Sequence, residues 1–262
     1  MVIGLNVFKE YFKGLENSFL LIGGTACDQH FEERGIPFRS TTDLDIILIA
    51  EALGNEFIEK FWQFIRDGGY VNKQKNDGKN QYYRFEDPKD QRFPAMLELF
   101  SRKADVITET EGMGFTPIPA DDDLSSLSAI LMDEDYYQFT MRHAIMLNDL
   151  PLVTTEALIC LKAKAHLDLS ERKEQGETID SKKVNKHRSD VIRLAAVLDP
   201  NKKVPLSTAM AADMEKFIAK VEADQPSTKE ILKASRITFI ALADLMTILR
   251  NVFLNFPQTG NQ

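Results

Sequence analysis

Leu20-Leu-Ile-Gly-Gly-Thr-Ala26 and Arg39-Ser-Thr-Thr-Asp-Leu-Asp-Ile-Ile-Leu48 are the stretches whose reading decides the fold. The first is an apolar run broken by two glycines. It predicts a buried strand over 18–22, then a helix capped by Thr25, running to about Arg34 and closed by Gly35. The second predicts a strand from Asp43 to Ile49. Residues i and i+2 of a strand share a face, so Asp43 and Asp45 point the same way with Cα atoms roughly 7 Å apart. Leu44 and Ile46 then point into the core. Gly23 and Gly24 lack Cβ atoms, so a phosphate can approach the backbone where a new helix offers unpaired N–H groups. Thr25 adds a hydroxyl. Taken singly, a Gly-Gly pair is an ordinary strand–helix turn and an Asp-x-Asp pair a solvated surface feature. Their order joins them into a site for a metal ion and a phosphate.

The same reading extends outward along the chain. Residues 5–17 and 51–67 have apolar residues at helical spacing, the second with Phe57, Phe61 and Phe64 on one face and Gly68-Gly69 at its end. Residues 70–75, Gln81–Phe85 and Ala95–Phe100 read as strands, with a turn at Asn76–Asn80. The stretch 112–140 suggests short strands and a helix. Beyond Pro151 the pattern is helical, over about 154–170, 186–198, 206–222 and 227–254, with the charged connector Glu171–Lys183 between the first two. The expected class is α+β: a mixed β-sheet flanked by helices over 1–150, then an α-helical domain over 151–262 that closes a cleft. A third acid is needed to complete a metal cage. Glu98 is the lone acid inside the apolar strand Met96–Phe100, and burying it alone is costly, so a partner or metal is expected. Asp105 is the reserve candidate.

Composition restricts the alternatives. The 262 residues suffice for one large domain or two modest ones, and 44% hydrophobic with 27% charged residues fits a folded, well-cored chain. No apolar run approaches the roughly 20 residues of a membrane span, and the start lacks the pattern of a signal peptide, so a cytoplasmic location is expected. Cys27 and Cys160 form neither a disulfide framework nor a metal pattern and read as buried thiols. The net charge of −8 is uneven: 1–150 carries 15 Lys/Arg against 26 Asp/Glu, and 151–262 carries 17 against 14. An acidic chain argues against broad non-specific DNA binding. The histidines His30, His143, His166 and His187 show no ligand spacing, and no serine lies in a nucleophile elbow.

With these residues in view, the chain resembles the abortive-infection AbiEii-type nucleotidyltransferases of the DNA-polymerase-β-like nucleotidyltransferase superfamily. The resemblance rests on Ile22-Gly-Gly-Thr-Ala26 followed by Arg39-Ser-Thr-Thr-Asp-Leu-Asp45. A second block, Leu158-Ile-Cys-Leu-Lys-Ala-Lys-Ala165 with Lys186-His-Arg-Ser-Asp-Val-Ile-Arg-Leu194, matches at Lys162 and Asp190 and departs from the family pattern at His187. The remainder, including 100–150 and 200–262, is not recognisably covered. The resemblance implies that Asp43, Asp45 and Glu98 hold Mg²⁺ or Mn²⁺, with Glu98 as general base. It implies that Gly23, Gly24, Thr25, Arg39 and Lys162 contact an NTP. Asp190 is expected to support Lys162.

The implied reaction moves an NMP from an NTP to an acceptor, such as a tRNA end, a protein or a small molecule. The setting it implies is a toxin–antitoxin or phage-defence pair, with an antitoxin protein as partner. Two other readings share the fold: a binding module with an incomplete site, and a phosphotransferase that releases ADP instead of pyrophosphate.

Overall fold

The computed structural model describes residues 2–70, 82–101, 130–224, 230–233 and 240–256. The expected strand at 70–75, the turn at Asn76–Asn80, Asp105 and most of the 112–140 stretch lie outside them. The chain divides into two compact units, Met1–Ser128 with Ala144–Val153, and Ala129–His143 with Thr154–Gln262. The chain therefore passes between the units near residues 128, 143 and 153, not once near 150. Among the described residues no helix is long and apolar enough to cross a membrane.

The first unit is built on a six-stranded mixed sheet. Its strands are β1 (Phe19–Ile22), β2 (Asp43–Leu48), β3 (Tyr82–Glu86), β4 (Met96–Phe100), β5 (Ala144–Leu147) and β6 (Leu150–Val153), in the order β3-β4-β2-β1-β6-β5. β2 runs antiparallel to β1 and parallel to β4. Three helices accompany the sheet: α1 (Leu5–Tyr11), α2 (Gly23–Glu33) and α3 (Asn55–Gly68). The expected 5–17 helix is thus shorter, broken before a 3-10 turn at Glu16–Ser18.

One face of the sheet is aromatic. Phe19 makes ring contacts with Phe8, Phe12 and Phe57, and Phe85 with Phe61 and Trp62. By register, Phe85 pairs with Leu97 and Leu97 with Leu44, so this is the face opposite Asp43 and Asp45. The core thus packs beneath β2 and leaves its acids on the other side. α2 is closed by Gly35, at φ 66°, with the Gly35 N–H on Glu32 O and the Ile36 N–H on Phe31 O. That double bond is the Schellman stop the glycine favours.

Pro151 does not begin the helical region as the sequence suggested. It lies inside β6, in a hairpin whose two-residue turn, Asn148-Asp149, holds φ at 53° and 58°. Such a turn matches the right-handed twist of the flanking strands. Leu147 and Leu150 flank the turn and exchange hydrogen bonds, so the next pair, Met146 with Pro151, does not. A residue without an N–H therefore loses nothing on that side.

Among the described residues the second unit is helical, and five of its helices have their bounds described: α4 (Glu134–Arg142), α5 (Thr155–Glu174), α6 (Ser181–Ala195), α7 (Thr208–Ala223) and α8 (Leu242–Phe253). Four of the five are side-chain capped: Asp133, Thr154, Asp180 and Ser207 each accept from an N–H of the following turn. The Asp180 cap explains why α6 begins five residues before the expected 186, inside the stretch read as a charged connector. α5 is buried almost continuously from Thr155 to Ser170, which marks it as the central helix. Met214, Phe217 and Val221 of α7 and Leu245, Leu249 and Phe253 of α8 supply more of this core.

Candidate functional site

The glycine turn and the strand acids meet in the first unit. In β1–β2 pairing Ile22 lies opposite Asp45, so the residue that ends β1 puts Gly23 and Gly24 beside that carboxylate. Gly23 has φ 66°, and a Cβ there would stand 1.6 Å from Asp45 Oδ2. The Gly24 N–H points at the same oxygen, at 3.4 Å. The first glycine is therefore required by the close approach of Asp45 as well as by its left-handed backbone. A Cβ on Gly24 would meet Thr41 Oγ1 at 2.7 Å and Arg39 Nη2 at 3.5 Å. Arg39 thus stands over the turn, where its planar fork suits a phosphate. Its guanidinium also lies over the Phe38 ring and donates to Ser40 O. Thr41 is a neighbour of the turn that the sequence reading did not single out.

Thr25 plays another part than expected. It is fully buried, and its hydroxyl donates to the backbone carbonyl of Asp43 at 2.8 Å. The N-cap of α2 is Ile22, without a side-chain cap. The Thr25 hydroxyl ties the first turn of α2 to the start of β2, which positions Asp43.

Glu98 is the parallel register partner of Asp45, and Asp43 that of Met96. Asp43, Asp45 and Glu98 consequently share one face of two adjacent strands. Burial and the neighbouring Asp45 carboxylate push the Glu98 carboxyl up to about 8, against the opposing pull of Arg84. Asp45 lies within hydrogen-bonding reach of Glu98. Arg84 Nε and Nη2 both donate to Glu98 Oε1, at 3.0 and 2.5 Å. Arg84 is the partner that a lone acid in an apolar strand called for. Its sequence signal was symmetrical: a lone cation in Tyr82-Tyr-Arg-Phe-Glu86 facing a lone acid in Met96-Leu-Glu-Leu-Phe100.

Oxygen-only donors of this kind suit a hard divalent cation such as Mg²⁺ or Mn²⁺. Two of the three acids are in contact. Asp43 stands one pleat repeat away with its Oδ1 accepting from Thr42 Oγ1 at 2.9 Å, and among the described residues no three acidic, histidine or cysteine side chains converge as a cage. Asp45 and Glu98, with Asp43 on the same face, are the residues that would hold such a cation.

In the second unit Lys162 on α5 and Asp190 on α6 form a buried pair at 2.8 Å, with side chains 2% and 0% exposed. This is the support of Lys162 by Asp190 that was expected, and it neutralises an ammonium held out of water. His187 is half-buried on the same helix, whereas Cys27 and Cys160 are buried and in no disulfide.

Fold and site together define an α+β protein whose mixed sheet carries an acid pair beside a glycine turn. No family model and no curated protein matches the chain. Among solved structures, it is similar to an antigenic nucleotidyltransferase-like protein from Paracoccidioides brasiliensis, with a TM-score of 0.42 and 16% identity over 87% of this chain and 89% of that one. A likeness of that size decides neither fold nor activity.

Proposed function

We propose that the chain is a divalent-metal-dependent nucleotidyltransferase. The observation that carries the reading is the pairing of Asp45 with Glu98 on adjacent strands, directly beside the Gly23-Gly24 turn. Asp45 and Glu98, joined by Asp43, would hold Mg²⁺ or Mn²⁺, which supplies Lewis-acid charge to the α-phosphate and to the leaving pyrophosphate. The Gly24 N–H and the Arg39 guanidinium would bind triphosphate oxygens and orient them for in-line attack. An acceptor oxygen bonds to the α-phosphorus, the bridging α–β P–O bond breaks, pyrophosphate leaves, and the acceptor proton passes to a carboxylate of the site or to solvent. The acceptor class (a tRNA end, a protein side chain or a small molecule) and a toxin role with an antitoxin partner belong to the same proposal, motivated by the motif resemblance alone.

The test uses NTPs labelled at the α- or the γ-phosphate, with total RNA, protein and small-molecule acceptors. Transfer of the α label with pyrophosphate release, abolished by Asp45→Ala, supports the reading. Transfer of the γ label with a diphosphate product replaces it by phosphotransfer. A second reading, a binding module without catalysis, is favoured by one observation: among the described residues three acids do not converge. It predicts NTP binding with neither label transferred.

A further inference from the structure

Arg84, Glu98 and Asp45 form a row across three adjacent strands. Arg84 faces Glu98 in the antiparallel register of β3 and β4, and Glu98 faces Asp45 in the parallel register of β4 and β2. Both bonds from the guanidinium go to Glu98 Oε1, at 3.0 and 2.5 Å, which leaves Oε2 unclaimed by Arg84. Two donors of a rigid planar fork on one oxygen hold that oxygen in place. The pair is partly shielded from water, with Arg84 24% and Glu98 13% exposed, so the interaction is not that of a solvated surface salt bridge.

We propose that Arg84 is a positioning residue for the acid pair: it holds Glu98 by Oε1, turns the carboxylate toward Asp45, and so sets divalent-cation affinity without touching the nucleotide. The inference rests on the metal–nucleotide reading above. It makes a prediction opposite to that of charge alone. Removing a cation beside a metal site should strengthen metal binding by relief of repulsion; removing the group that orients a ligand weakens it, by about 10–100-fold for outer partners of metal ligands.

Mn²⁺ alone is titrated into the nucleotide-free full-length protein, with free Mn²⁺ read by electron paramagnetic resonance. The proteins are wild type, Arg84→Lys, Arg84→Gln and Asp45→Asn. The proposal expects Arg84→Gln to bind about 10–100-fold more weakly than wild type. Arg84→Lys, which keeps the charge but loses the fork, should fall between them with an unchanged melting midpoint. A wild type that does not bind Mn²⁺, or an Asp45→Asn variant that binds equally well, overturns the metal–nucleotide reading and this inference with it. Loss in Asp45→Asn together with unchanged or tighter binding in both Arg84 variants overturns the Arg84 role alone. Should Arg84→Gln fail to fold, Arg84→Lys decides: weaker binding supports the role and equal binding refutes it.

Discussion

Replacing Glu98 by Gln should remove a pH-dependent liability from the metal-free protein. The Glu98 carboxyl is moved from an ordinary 4.5 to about 8 by burial and by the Asp45 carboxylate. The folded protein therefore holds a proton that the unfolded chain releases, throughout the interval between those two values. Stability falls with rising pH wherever the folded state binds more protons. The stabilisation is complete below pH 4.5 and is lost as pH rises to about 8. At 1.36 kcal/mol per pH unit this amounts to at most about 5 kcal/mol. Gln keeps the shape, accepts from Arg84 and donates to Asp45, but does not titrate. Denaturant unfolding in a chelator, from pH 5 to 9, should show wild type losing about 3–5 kcal/mol relative to Glu98→Gln. Groups distant from position 98 titrate alike in both proteins and cancel in the difference. Parallel curves for the two proteins would refute the claim that burial beside Asp45 raises the Glu98 carboxyl.

Three further outcomes follow from the structure. Gly23→Ala forces a Cβ to 1.6 Å from Asp45 Oδ2 at φ 66°, so it should lose about 1–3 kcal/mol in denaturant unfolding, and an unchanged midpoint would contradict the close approach. Truncating either member of the Lys162–Asp190 pair leaves a buried charge and should cost about 3–5 kcal/mol, whereas Lys162→Met with Asp190→Leu should recover most of it; equal tolerance of the single and double changes would argue against full burial. His166 bonds through Nδ1 to Val184 O and has its pKa lowered to about 4 by burial, with Arg188 and Lys220 adding to the effect and Asp224 opposing it. The unfolded chain takes up that proton first, so about 3 kcal/mol of stability is lost as pH falls from 6.5 to about 4; an NMR titration of the ring with a midpoint near 6.5 would contradict this.

The parts legible in the sequence were those set by local pattern. A strand broken by Gly-Gly, a helix stopped at Gly35 and an alternating Asp43-Leu-Asp45 strand each carry their own period and punctuation, and the structure has them within a few residues. Glu98 was legible because an acid in an apolar strand demands a partner. What the pattern did not disclose was pairing between distant strands. Arg84 matters only because β3 and β4 register it on Glu98. Thr25 looked like a cap because caps are local, yet its hydroxyl answers a carbonyl eighteen residues away. The hairpin at 144–153 was missed for a different reason. Pro151 reads as a breaker, and only the register shows that its missing N–H faces a position where no bond is needed. The Lys162–Asp190 pair, by contrast, was expected from the motif resemblance, and the structure has it buried between α5 and α6.

The central claim is that the acid pair and the glycine turn are one metal–nucleotide site. Crystals grown with Mn²⁺ and an NTP analogue that cannot be cleaved between the α- and β-phosphates test it most directly, through the anomalous signal of the metal. The account predicts a Mn²⁺ peak shared by Asp45 and Glu98, with the triphosphate against Gly24 and Arg39. A triphosphate bound elsewhere, or a metal that touches neither carboxylate, would contradict it.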